Sequence, residues 1–161
     1  MNKVLNIKDV NKLSILLHQK NKRIVVCGGC FDVLHVGHIR FLEKAKSEGD
    51  ILLVLLESDK SVKRLKGTER PINSQRERAE ILSSIEFVDY VILLGEMKTN
   101  QDYDNLITLI KPDVIAVTAK DPQLVHNKRQ AKLVNAKVVQ VISRIKNKST
   151  TQLASLIHKN F

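Results

Sequence analysis

Aromatic residues make up only 4% of this 161-residue chain, and tryptophan is absent. Few rings are available to stack on exposed bases, which weakens a single-strand nucleic-acid reading. The 2 cysteines cannot build a disulfide framework and read as reduced thiols. Long apolar runs are missing too. The longest aliphatic run, Ile51 to Leu56, falls far short of the roughly 20 residues that cross a bilayer. Asn6, Lys8, Asp9 and Asn11 interrupt any apolar stretch near the start, so no signal peptide is expected. A cytoplasmic protein without a membrane partner is the expectation. Acidic residues are also in deficit: 17 against 27 basic ones gives a net charge of +10. That excess favours a polyanionic partner: a nucleic acid, an acidic membrane or a small polyphosphate.

With 43% hydrophobic and 27% charged residues, the chain reads as one globular domain over 1–161. An amphipathic helix is expected within 1–20, with Ile7, Val10, Leu13, Leu16 and Leu17 on one face. The core is expected over 22–158. Strands are expected at 23–26, 51–56, 90–94, 114–117 and 137–141. Helices are expected at 36–47, 75–85, 105–110, 123–135 and 150–158. Val36, Ile39, Leu42 and Ala45 should face inward, and Gly49 should cap the second helix. This alternation predicts an α/β fold with one doubly wound, Rossmann-like parallel sheet. Ligands on such sheets sit beyond the carboxyl ends of the strands.

The first of those ends reads Cys27-Gly28-Gly29-Cys30-Phe31-Asp32-Val33-Leu34-His35-Val36-Gly37-His38. Gly28 and Gly29 would allow close backbone approach by a ligand. A helix start attracts anions through its free N–H groups. His35 and His38, three residues apart, project from one side of the first turn, and Gly37 leaves room between them. Together they would form a phosphate clamp. With 5 His and 6 Gly, chance yields about 0.006 His-x-Gly-His strings per chain. Other readings stay open on these residues alone. They are an ordinary turn and helix start, a Cys27-x-x-Cys30 redox pair, or a zinc site of Cys27, Cys30, His35 and His38.

This string resembles the motif of the cytidylyltransferase-like nucleotidyltransferases, Gly-x-Phe-Asp-x-x-His-x-Gly-His. The resemblance continues through Lys63-Arg64-Leu65-Lys66-Gly67, Arg70-Pro71-Ile72-Asn73, Arg78, Val88-Asp89, Lys111-Pro112-Asp113 and Ser149-Thr150-Thr151. It points most closely to the adenylyltransferase domain of bacterial ADP-heptose synthases. The resemblance implies catalytic roles for His35, His38, Lys66 and Arg78. It implies nucleotide or phosphate binding by Gly29, Cys30, Phe31, Asp32, Gly37, Lys63, Ser149, Thr150 and Thr151. Asp59 and Arg70 are implied for the second substrate. For Asp32, packing and loop hydrogen bonding are equally open, and Arg76 has no match and reads as surface.

The partners implied are a nucleoside triphosphate, ATP favoured, and a sugar or polyol phosphate. Mg²⁺ would bridge the triphosphate through substrate oxygens and water, with no dedicated protein ligand. A homodimer is implied by the relatives. CTP with glycerol 3-phosphate, formation of a flavin nucleotide, and a non-catalytic basic nucleic-acid-binding or regulatory domain are the alternatives.

Three segments depart from the pattern of the heptose enzymes. Val117-Thr118-Ala119-Lys120-Asp121 replaces Lys-Gly-Gly-Asp-Tyr, Glu57 replaces an Asn, and Arg144 to Lys148 replaces an acidic-Gly lead. The phosphate machinery is kept, while the acceptor and base pockets look changed.

Overall fold

The structure, a computed structural model, describes residues 3–142. Ser149, Thr150 and Thr151, the segment from Arg144 to Lys148, and the expected helix at 150–158 lie outside the described residues.

Six strands form one parallel sheet: β1 (Val4–Asn6), β2 (Ile24–Gly29), β3 (Ile51–Leu56), β4 (Tyr90–Leu93), β5 (Val114–Thr118) and β6 (Lys137–Ile142). Their order is β1-β4-β3-β2-β5-β6. Six helices connect them: α1 (Val10–Gln19), α2 (Val36–Lys46), α3 (Asp59–Lys66), α4 (Gln75–Ser83), α5 (Asn100–Ile110) and α6 (Leu124–Val134). This is a Rossmann-like α/β architecture.

The apolar strands are explained by burial on both faces. Along β2 and β3, Ile24, Val26, Leu53 and Leu55 join one core with Leu13, Leu17, Leu106 and Ile110 of α1 and α5. Their alternates Val25, Cys27, Leu52, Val54 and Leu56 join a second core with Phe41, Leu42, Ala79 and Leu82 of α2 and α4. With both faces dry, a strand has no polar register and reads as a continuous run.

In α1, Val10, Leu13 and Leu17 are buried, but Leu16 and Ile15 face outward. Leu16 therefore leaves the expected face, as does Val36 in the first turn of α2. Short β1 precedes α1 on the sheet edge, where a helical start was expected. Helix α5 begins five residues earlier than expected. Thr99 and Asp102 exchange capping bonds there, Asp102 N–H to Thr99 Oγ1 at 3.3 Å and Thr99 N–H to Asp102 Oδ2 at 2.8 Å. Gly49 does not cap α2, whose C-cap is Ser47. A Cβ at 49 would lie 2.8 Å from the Arg23 carbonyl oxygen, so close packing against the start of β2 demands glycine there.

The register places the site. Gly29 pairs with Leu56, and Leu56 with Leu93, so the carboxyl ends of β2, β3 and β4 finish level. The chain leaves β2 for β3 on one side, whereas β5 and then β6 lie on the other. The carboxyl ends of β2 and β5 thus flank the switch point where ligands of such sheets bind.

Candidate active site

His35 is the N-cap of α2 and takes a role usually filled by Ser, Thr, Asp or Asn. Its Nδ1 accepts the Gly37 N–H at 3.1 Å. The Nδ1 of His38 accepts the His35 N–H at 3.3 Å. A backbone N–H only donates, so neither Nδ1 carries a proton. A neutral ring then holds its hydrogen on Nε2. Burial, and secondarily the neighbouring His35, pushes the His38 pKa down to about 4, so this ring is neutral near pH 7. The ring centroids lie 4.0 Å apart. Two Nε2–H donors are therefore set side by side at the positive end of an 11-residue helix.

Phe31 supports the pair. It is buried, and its ring centroid is 5.4 Å from that of His38. Its backbone sits at φ 44°, left-handed territory that costs a bulky residue about 1–3 kcal/mol. A Cβ on Gly29 would lie 2.8 Å from the Phe31 ring. The ring, rather than a ligand, thus explains glycine at 29.

Asp32 works on the loop rather than on a ligand. It is 3% exposed, pairs with Arg70 Nε, and accepts the N–H groups of Ile72 at 2.8 Å and Asn73 at 3.0 Å. Arg70, expected at the second substrate, spends its Nε on this pair and keeps a side chain only 12% exposed.

Arg78 is the larger correction. Expected to hold the triphosphate, it is 0% exposed. Its guanidinium donates to the carbonyls of Asn73 at 3.0 Å, Cys30 at 2.5 Å and Glu57 at 2.9 Å, and to Asp59 Oδ1 at 2.7 Å. Four of its five N–H donors are thus spent inside the protein. It ties together the segments after β2, after β3 and before α4, so it is a positioning residue. Asp59 keeps 48% of its side chain exposed while pairing with it.

Lys63 and Lys66 lie exposed in the last turn of α3. Lys63 lines a groove of about 410 Å³ with Asp59, Thr68 and Arg70. Lys66 lies near enough to Cys30 for its charge to act on that thiol. Arg76 lies instead in an edge groove beside Asn6 of β1.

The redox and zinc readings fail. Cys27 points into the second core, and burial pushes its thiol up to about 12. Burial also raises Cys30. Neither is an activated thiolate, and no group of three or more metal-ligating side chains exists among the described residues.

Tyr103 escaped the sequence reading, and Glu57 was noted there only as a departure from the family pattern. Tyr103 Oη donates to Glu57 Oε1 at 2.8 Å, and burial raises the phenol's pKa first, this bond second. Glu57 Oε2 has no hydrogen-bond partner among the described residues. An apolar strand ending in a buried Glu was the available signal.

Comparison with known proteins meets this geometry. Residues 26–158 match the family model described as Cytidylyltransferase-like. The chain belongs to the cytidylyltransferase-like family. Relatives include the Bifunctional protein HldE of a Nitratiruptor species, 44% identical over 152 residues, or 91% of this chain and 31% of that protein. The Bifunctional protein HldE of Campylobacter jejuni subsp. jejuni serotype O:2 is 49% identical over 109 residues, 68% of this chain and 23% of that protein. The chain thus spans about a third or less of the length of these relatives.

Among solved structures, the lipopolysaccharide core biosynthesis protein of Thermoplasma volcanium aligns with TM-score 0.58 and 26% identity, covering 80% of this chain and 99% of that one. A pantoate-beta-alanine ligase of Francisella tularensis shares the fold at TM-score 0.67 and 21% identity, covering 99% of this chain and 78% of that one. Within the cytidylyltransferase-like chain described here, no helix among the described residues is long and apolar enough to cross a membrane.

Proposed function

We propose that the chain is a nucleotidyltransferase that joins ATP to a sugar phosphate of the heptose 1-phosphate type, forming a nucleotide-sugar and releasing pyrophosphate. One observation carries the reading: the paired imidazoles, fixed with Nε2–H donors at the start of α2 beside the switch point. The heptose acceptor rests on the resemblance to ADP-heptose synthases and on identities of 44% and 49% with the HldE proteins.

A phosphate oxygen of the acceptor attacks the α-phosphorus in line, the new P–O bond forms, and the bond to the bridging β-phosphate oxygen breaks. The acceptor phosphate is already nucleophilic near neutral pH, so no general base is needed. Catalysis is positioning plus charge stabilisation. His35 and His38 donate to phosphoryl oxygens, at no cost in deprotonation for the neutral His38. Lys63 and Lys66 meet phosphates from the α3 side, and Ser149, Thr150 and Thr151 meet the triphosphate tail. Mg²⁺ would neutralise charge on the triphosphate. By the family resemblance, the ion would be held by substrate oxygens and water. The reaction belongs in the cytoplasm, where ATP and reduced thiols coexist.

The test incubates the chain with Mg²⁺, ATP or CTP, and heptose 1-phosphate or glycerol 3-phosphate, and reads products by mass spectrometry. ADP-heptose as the dominant product supports the reading. A CDP-linked polyol moves the chain to the other branch of the family. No product with any pair, together with salt-dependent RNA binding, supports the non-catalytic alternative.

A further inference from the structure

Glu57 stands at the carboxyl end of β3, 8% exposed, and is held from three directions. Its N–H donates to the Gly29 carbonyl at 3.1 Å, its carbonyl accepts from Arg78 at 2.9 Å, and its Oε1 accepts from Tyr103 at 2.8 Å. Its Oε2 is the buried side-chain polar atom left without a partner among the described residues. Every other buried polar side-chain atom in that part of the chain is matched, as native interiors require. Bulk water does not reach this oxygen, and a hydroxyl delivered by a bound substrate would complete its hydrogen bonding.

The fold says which ligand. The nucleotide belongs to the switch point between β2 and β5. β3 lies on the opposite flank of β2, and two residues past Glu57 the chain enters, at Asp59, the groove lined by Lys63 and Arg70, which is the half left for the second substrate. The groove's cations, Lys60, Lys63 and Arg70, outnumber its carboxylates, Asp59 and Glu69, which favours a phosphate over an ammonium group. An uncharged donor on a phosphate ester is a hydroxyl.

We infer that Glu57 is a specificity-determining residue whose Oε2 accepts a hydrogen bond from one hydroxyl of a polyhydroxylated phosphate ester. The inference rests on the nucleotidyl-transfer reading and names the feature of the acceptor that the site selects. A site built around a buried polar group discriminates strongly against an analogue lacking the partner, because the group is then left unpaired.

The test uses the full chain with α,β-methylene ATP and Mg²⁺. Heptose 1-phosphate and its monodeoxy analogues are titrated calorimetrically. The wild-type chain is expected to bind one monodeoxy analogue at least about tenfold more weakly than the parent. Glu57→Met removes the acceptor and is expected to bind the two within about threefold of each other. Glu57→Gln keeps the volume and the Tyr103 bond, and loss of charge is expected to cut the discrimination to about threefold, which serves should Glu57→Met not fold. Tyr103→Phe breaks the same internal hydrogen bond but keeps the carboxylate, and is expected to retain the full discrimination. A purely structural role predicts that the Glu57 and Tyr103 variants behave alike, and that result overturns the inference. So does full discrimination in the Glu57 variants, or none in the wild type. Heptose 1-phosphate that fails to bind while the ATP analogue binds also overturns it, leaving nucleotidyl transfer standing. Failure of the nucleotide as well removes both.

Discussion

The Nδ1 of His38 accepts the backbone N–H of His35 at 3.3 Å, and the two rings lie 4.0 Å apart. This bond fixes the tautomer of His38, the Gly37 N–H bond to Nδ1 fixes that of His35, and burial keeps His38 neutral. The folded state lowers the His38 pKa from 6.5 to about 4. Between those values the unfolded chain binds a proton on this ring and the folded chain does not. Stability therefore falls as pH drops through that window and is untouched by this ring above it. The expected loss by pH 4 is about 3 kcal/mol. His38→Asn, whose Oδ1 can take the same N–H, should lack this contribution. Urea melts of both proteins at about pH 7.5, 6 and 4.5 check it, and equal pH slopes would contradict it.

Arg78 and Lys66 separate positioning from contact. Arg78→Met leaves the carbonyl of buried Glu57, the part-buried carbonyls of Cys30 and Asn73, and Asp59 without their donor, and is expected to cost about 3–5 kcal/mol in denaturant melts. Lys66 is exposed, so Lys66→Met should change stability by less than about 0.5 kcal/mol while cutting turnover at least tenfold. An Arg78→Met protein that melts like wild type would return Arg78 to the ligand.

Gly29 and Phe31 are predicted to be coupled. Gly29→Ala places a methyl 2.8 Å from the Phe31 ring and is expected to destabilise by about 1–3 kcal/mol. Phe31→Leu removes the offending ring edge. In the double variant the two costs should fall short of additive, as measured by a double-mutant cycle on unfolding free energies. Strict additivity would show that the glycine serves something other than this ring.

The thiols are expected to be inert. Cys27 should resist a thiol-reactive dye in the folded chain near pH 8 and react only after unfolding, because burial pushes its pKa to about 12. A Cys27–Cys30 disulfide forming under mild oxidation would restore the redox alternative.

Much of this fold was legible in the sequence because its physics is local or periodic. Runs such as Ile51 to Leu56 announce strands buried on both faces, and Thr99-x-x-Asp102 carried a capping signal that the shorter expected α5 overlooked. Helix α3 stayed hidden because only Ser61 and Val62 of its residues are buried, so no apolar stripe marks it. Three-residue β1 owes its pairing to a distant β4 partner, which no local pattern reveals. The histidine pair was legible from spacing and context. The destinations of Arg78 and Arg70 were not, since a basic residue bound for a ligand and one bound for internal partners look alike until the loops are in place, whereas loop hydrogen bonding by Asp32 was one of the readings left open.

The most direct test of nucleotidyl transfer is the rate of pyrophosphate release from Mg-ATP and heptose 1-phosphate, compared between wild type and His38→Asn. The expected result is steady release that depends on both substrates and falls by about 10²–10³-fold in the variant while its urea midpoint near pH 7.5 stays close to wild type. Release that is equal in both proteins, or absent from a folded wild-type chain that binds the nucleotide, would contradict the account.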